Sequence, residues 1–166
     1  MLHRPQPAGL GGHIWVSFSP DLHHWGDHTI VLRTRPGPWW DSHKVGLGPQ
    51  PIKTNAGWLV MYHGVKDTAA GKIYRLGLSF FDFKYPLKLK YRSPEWVFSP
   101  EEPYERIGDV DNVTFATGLI WDKKTDNLNM YYGAADTYVA VATAKMSDVL
   151  SYLKQYPVVN EREYLG

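Results

Sequence analysis

The chain has 166 residues, 43% hydrophobic and 21% charged, with no cysteine; this suffices for one folded domain over residues 1–166 and excludes disulfides and sulfur-ligated zinc. Its formal charge of +1 hides an asymmetry, since residues 1–100 carry 12 Lys and Arg against 6 Asp and Glu, and residues 101–166 carry 6 against 11. That split argues against a nucleic-acid surface, and no run approaches the roughly 18 apolar residues of a membrane span, so a cytoplasmic protein without nucleic-acid or membrane partners is expected.

In chain order, HIWVSF (13–18) alternates as a strand does and runs into SPDLHHW, a turn opened by Ser-Pro-Asp. A second β-branched run, TIVLR (29–33), follows, and then RPGPWWD (35–41), a loop because two prolines and a glycine do not fit a paired strand. The glycines and prolines of VGLGPQPIK bring backbone close to a neighbour. Strands are predicted at GWLVMYHG (57–64), IYRLGLSFFD (73–82) and EWVFS (95–99), with KYPLKLK as a connection between the last two. After the acidic, turn-rich EEPYERIGDVDN come strands at VTFATGLIW (113–121), NLNMYYGA (127–134) and TYVAVATA (137–144). Only MSDVLSYLKQY (146–156) has helical spacing, with Ser147 as its N-cap.

Two octapeptides, MYHGVKDT (61–68) and MYYGAADT (130–137), nearly repeat, and IWVSFS, LGLSFF and VAVATA align at Val16, Leu78 and Val141 about 62 residues apart. Several short strands per 40 to 65 residues is the signature of a β-propeller, whose blades bury their faces only against neighbours. The expected fold is all-β, a partial propeller of about two and a half blades with a short C-terminal helix. Aromatic residues, 14% of the chain, suit both a β core and a sugar site, where rings stack on the apolar face of a pyranose.

The strings HRP (3–5), SFSPDLHHW (17–25), HKVGLGPQPIKTNAGWLVMYHGV (43–65), IYRLG (73–77), YERIGDVDNVTFATG (104–118) and YYGAADTYVAVATA (131–144) resemble the C-terminal half of glycoside hydrolase family 130. That family holds β-mannoside phosphorylases and some β-mannosidases, built as five-bladed propellers. The resemblance implies inverting phosphorolysis of a terminal β-mannoside to mannose 1-phosphate, with inorganic phosphate as co-substrate and neither metal nor organic cofactor. It assigns Arg4, Lys44, His63 and Tyr74 to phosphate, and Asp136 and Phe115 to the mannose. A bidentate guanidinium, an ammonium, an imidazole and a phenol are donors that a phosphate dianion needs, whereas a hydrolase would present a carboxylate to activate water. The family's general acid, an aspartate of the N-terminal half, has no counterpart here, and only Met1 and Leu2 stand before HRP. The expectation is therefore a C-terminal portion inactive alone, which self-associates or pairs with a separate N-terminal half.

Read without the family, His63 is equally a structural histidine on an apolar strand, Lys44 a solvated cation, Tyr74 a half-buried strand residue and Phe115 core filling. Arg4 lies beside the chain end, where disorder is usual. The aspartate of SPDLHHW reads as a turn former and Trp25 as a blade-packing ring. Two other classes compete: a β-mannosidase or other propeller glycosidase, and a non-catalytic half-propeller that binds carbohydrate or serves as a structural partner. Exposed blade edges would promote association in either case.

Overall fold

In the computed structural model, which describes residues 1–9 and 11–159, eleven strands form three antiparallel sheets and helices are few. The first sheet, in order β1-β2-β3, comprises β1 (Leu2–His3), β2 (Ile14–Phe18) and β3 (Gly26–Leu32). The central sheet follows the path β4-β6-β7-β8, from β4 (Lys44–Leu47), β6 (Gly57–Thr68), β7 (Gly71–Asp82) and β8 (Leu89–Arg92), with the short β5 (Ile52–Lys53) also paired to β6. The third sheet is β9 (Thr114–Asp122), β10 (Asn127–Ala134) and β11 (Tyr138–Lys145), with β10 in the middle. One helical turn, α1 (Pro103–Arg106), precedes it and α2 (Met146–Lys154) follows it.

Alternation along β6 explains the layering. Leu59 and Met61, with Leu76, Leu78 and Phe80 of β7, face Leu119, Leu128, Met130 and Tyr132 of the third sheet in one core that α2 closes with Met146 and Leu153. Val60, Tyr62 and Phe81, on the opposite face, pack with Ile14, Val31 and Leu32 of the first sheet and with Trp40 in a second core. The central sheet is thus buried on both faces. That is why GWLVMYHG reads as a continuous apolar run instead of a clean alternation.

The predicted strand at EWVFS is replaced. The last strand of the central sheet is β8, which starts at the end of the stretch read as a connection and runs two residues past it, and it pairs Ser79, Phe80 and Phe81 of β7 with Arg92, Tyr91 and Leu89. Residues 95–99 give only a bridge between Phe98 and Leu76, because Pro94 interrupts the edge. The rest of the β7 edge is satisfied piecemeal: Ser93 N donates to Leu78 O at 2.9 Å and Val97 N to Leu76 O at 2.8 Å. Helix α2 ends two residues early, and Ser147 lies inside it. Its N-cap is Lys145, and the free amides are met by Asp126, whose backbone carbonyl accepts from Met146 N at 2.9 Å and whose carboxylate accepts from Ser147 N at 3.0 Å.

The two octapeptides differ in face. Met61 and Met130, superposed in the repeat, point into the same core from opposite sheets; counted by orientation, Tyr62 turned toward the first sheet matches Tyr132 turned toward the central one. A one-residue offset reverses every side chain of a strand, so the similarity of sequence is not an equivalence of position. The SPDLHHW turn behaves as read, with Asp21 Oδ1 accepting from the amides of His23 and His24 at 2.9 and 2.8 Å. Trp25 does not pack between sheets; it is 36% exposed.

Candidate functional site

The rows of the central sheet fix the site. Lys44, Val65 and Tyr74 lie side by side across β4, β6 and β7, and Gly46, His63 and Leu76 form the next row on the same face. Lys44 reaches over Val65 to place Nζ 5.9 Å from the centroid of the Tyr74 ring, whose centroid is 6.3 Å from that of His63. Phe115 of β9, from the third sheet, brings its ring to 4.8 Å from His63. Arg4 arrives from the first sheet, just after β1. The ammonium of Met1 donates to Ser17 O at 2.8 Å and Leu2 pairs with Val16, so this segment is tied down, and Arg4 NH1 lies 3.5 Å from His63 Nε2.

Five of the six predicted residues therefore meet, from all three sheets. Asp136 does not join them through any contact among the described residues. It is exposed, in the three-residue turn between β10 and β11, where Ala135 and Asp136 both adopt a φ of 48°, a left-handed conformation that aspartate tolerates better than most residues. Asp67, its counterpart in the first octapeptide, is engaged elsewhere, with His43 Nδ1 at 2.9 Å.

Glycine makes the convergence possible. A Cβ on Gly46 would lie 2.3 Å from His63 Nε2 and 2.7 Å from Arg4 NH1, and one on Gly12 would lie 2.4 Å from the Lys44 Cβ. Both glycines thus define space that a side chain would fill. The glycine-rich VGLGPQP announced such an approach, but not which groups it admits.

Electrostatically the cluster is cationic and unquenched. Neither Arg4 nor Lys44 has a carboxylate partner within ion-pair distance among the described residues. His63 is 6% exposed and its Nδ1 has no hydrogen-bond partner. Burial, then the Arg4 charge and further Lys44, push its pKa down to about 4 against a weaker opposing pull from the Leu47 backbone. At neutral pH the ring is uncharged. An anion entering here would meet two cations and a neutral imidazole.

Below the cluster, on the other face, lies a network that sequence reasoning missed. Asp41 accepts from Arg35 Nε and NH2, both at 2.8 Å, from Arg92 NH2 at 2.7 Å and from the Tyr62 hydroxyl at 3.0 Å. All four residues are buried, and Trp40 stacks on Tyr62 with centroids 5.6 Å apart. Gly64 and Gly77 leave room for that indole, since a Cβ on either would come within 2.6 Å of Trp40. The loop 35–41 is thereby locked under β6, whose next residue is His63. A third buried group, Glu105, takes hydrogen bonds from Tyr132 at 2.6 Å and from the amides of Glu101 and Glu102 at 2.6 and 2.9 Å, which fixes α1 against β10.

The molecule is thus an all-β domain with a basic, aromatic-walled site where its three sheets meet. Residues 1–155 match the model of glycoside hydrolase family 130, described as beta-1,4-mannooligosaccharide phosphorylase. The chain is 40% identical over 163 residues to the beta-1,4-mannooligosaccharide phosphorylase of Ruminococcus albus, covering 96% of this chain and 48% of that protein. The structure of beta-1,2-mannobiose phosphorylase from Listeria innocua, solved with beta-1,2-mannobiose, superposes with a TM-score of 0.83 at 39% identity, covering 93% of this chain and 42% of that one. A further structure, of family 130 glycoside hydrolases that target beta-1,2 mannosidic linkages in Candida mannan, gives a TM-score of 0.68 at 29% identity over 81% of this chain and 41% of its own. The chain belongs to glycoside hydrolase family 130, and it spans about half the length of the curated relatives it matches.

Proposed function

We propose that this chain supplies the phosphate-holding side of an inverting β-mannoside phosphorylase, as about two and a half blades of a five-bladed propeller. The observation that carries the reading is the convergence of Arg4, Lys44, His63 and Tyr74 with no carboxylate among them. In this reading Arg4 and Lys44 neutralise inorganic phosphate, His63 adds a ring N–H, and Tyr74 adds its hydroxyl. Phosphate is thereby aimed at the anomeric carbon of a mannosyl unit resting against Phe115, and attack from the face opposite the leaving group inverts the configuration. Asp136 grips mannose hydroxyls from the hairpin tip. A hydrolase would need a carboxylate to activate water, and the absence of one from the cluster favours phosphorolysis over the hydrolysis known among the relatives.

The general acid and the far wall of the cleft belong to the half of the relatives' length that this chain does not span. General acid assistance is worth ~10²–10⁴-fold, so the chain alone is inactive by this reading. The uncovered outer face of the third sheet, with Val139 84% exposed and Ile120 and Val141 more than half exposed, supports a partner seated there, either another copy or a separately encoded half. The test is a coupled assay for mannose 1-phosphate from mannobiose and phosphate. No product from the chain alone, and product on adding the N-terminal half of a family member, is expected; turnover by the isolated chain would refute the division of labour.

A further inference from the structure

We infer that the protein carries a second sugar-binding site, on the face of the central sheet opposite the Arg4–Lys44–His63 cluster. Tyr74 and Arg75 are adjacent on β7 and so point to opposite faces. While Tyr74 joins the cluster, Arg75 lines a hollow of about 440 Å³ walled by Trp39, Trp40, Lys66, Glu95 and Trp96. Trp40 is a fixed wall: it is 5% exposed and its indole N–H donates to Pro94 O at 2.9 Å. Trp96 is an open one, 44% exposed, with the Arg75 guanidinium carbon 5.7 Å from its ring centroid.

Two side chains of this hollow, Arg75 and Glu95, have no ion-pair partner among the described residues. Arg75 donates from NH1 to the Tyr74 carbonyl at 2.6 Å, but its Nε is buried with no acceptor, and no carboxylate pairs with it among the described residues. Nε has no accessible surface of its own, so the part of Arg75 that the hollow can engage is the rest of its guanidinium, which no carboxylate neutralises among the described residues. Glu95, exposed at the rim, is an acceptor without an ion-pair partner. Lys66 is already committed to Pro38 O at 2.7 Å.

Indole faces beside one donor and one acceptor fit a pyranose, which has an apolar face and an edge of neighbouring hydroxyls. They do not fit free phosphate, which needs several converging donors. That the sugar is a β-mannoside rests on the family reading; that the hollow takes a pyranose does not. A site on the far side of the sheet would hold a distant segment of an oligosaccharide, or a second chain, near the cleft and raise its local concentration.

The test is titration of the 166-residue chain with β-mannotriose, and with cellotriose in parallel, followed by tryptophan fluorescence and ligand-observed saturation-transfer NMR. Mannotriose is expected to bind, with affinity lowered about tenfold in Trp96→Ala, a loss of the size of one aromatic stacking contact. Glu95→Gln, an exposed and nearly isosteric change, weakens binding several-fold, and Lys84→Ala, an exposed change away from both sites, leaves it unchanged. Binding of neither sugar, or binding lost in Lys44→Ala and untouched in Trp96→Ala, would overturn the site, as would its displacement by inorganic phosphate. Binding of cellotriose alone keeps the site while removing the mannoside reading.

Discussion

Acid should cost this protein stability at His63 in particular. The unfolded imidazole of His63 titrates near 6.5 and the folded one near 4, so between those values the unfolded state binds more protons and stability falls with pH. The contribution is fully present above about pH 6.5 and lost as pH falls through about 4. A separation of 2.5 pH units corresponds to about 3 kcal/mol in full, and about 2 kcal/mol is already lost at pH 5. Urea unfolding of the parent and of His63→Gln between pH 7.5 and 4.5 isolates this from His3 and His13, whose pKa values burial also lowers, because those remain in both proteins. The parent should lose about 2 kcal/mol more than the variant between pH 7.5 and pH 5. Parallel pH profiles, or a His63 ring that titrates near 6.5 by NMR, would refute the claim that this imidazole is held neutral beside two cations.

Other outcomes follow from the packing. Gly46→Ala drives a methyl into His63 and Arg4 and should lower stability by about 1–3 kcal/mol while abolishing thermal stabilisation by phosphate; a variant still protected by phosphate would show that the ligand lies elsewhere. Asp41→Ala leaves two buried guanidinium groups without their carboxylate and should cost about 3–5 kcal/mol, read as a drop in the urea midpoint. Tyr132→Phe leaves Glu105 Oε1 without its hydroxyl donor, Oε2 keeping the Glu101 and Glu102 amides, and should cost about 1–3 kcal/mol by the same measurement. In sedimentation the chain should run larger than its 19.0 kDa mass, and Val139→Lys with Val141→Glu, on the exposed third sheet, should shift it toward the monomer; a monodisperse monomeric parent would contradict the partnered face.

Much of the fold was legible because strands announce themselves through local alternation. β6, β7, β9, β10 and β11 appear within a few residues of the predicted spans. β8 was missed because Lys88 and Lys90 alternate with apolar residues on an edge, where solubility masks strand character, and EWVFS was over-read because Val97 and Phe98 pack against the core without continuing the ladder. Lys44, His63 and Tyr74 come together through cross-strand register beside the close approach at Gly46, which the glycine-rich segment signalled only in outline. Arg4 required tertiary information, since nothing in HRP reveals that Leu2 and His3 pair with β2. The Asp41 network was invisible for the same reason: Arg35, Tyr62 and Arg92 are distant in sequence, and their charges read as surface until burial is known. The repeat was the least faithful guide, because an octapeptide match does not record which face each residue takes.

Phosphate binding to the chain tests the central claim most directly. Calorimetric titration at pH 7 with inorganic phosphate, repeated on Lys44→Ala and Arg4→Ala, should show saturable binding by the parent, weakened about tenfold or more by either substitution, as the loss of a charge-assisted contact requires. No binding by the parent, or binding indifferent to both substitutions, would contradict the account.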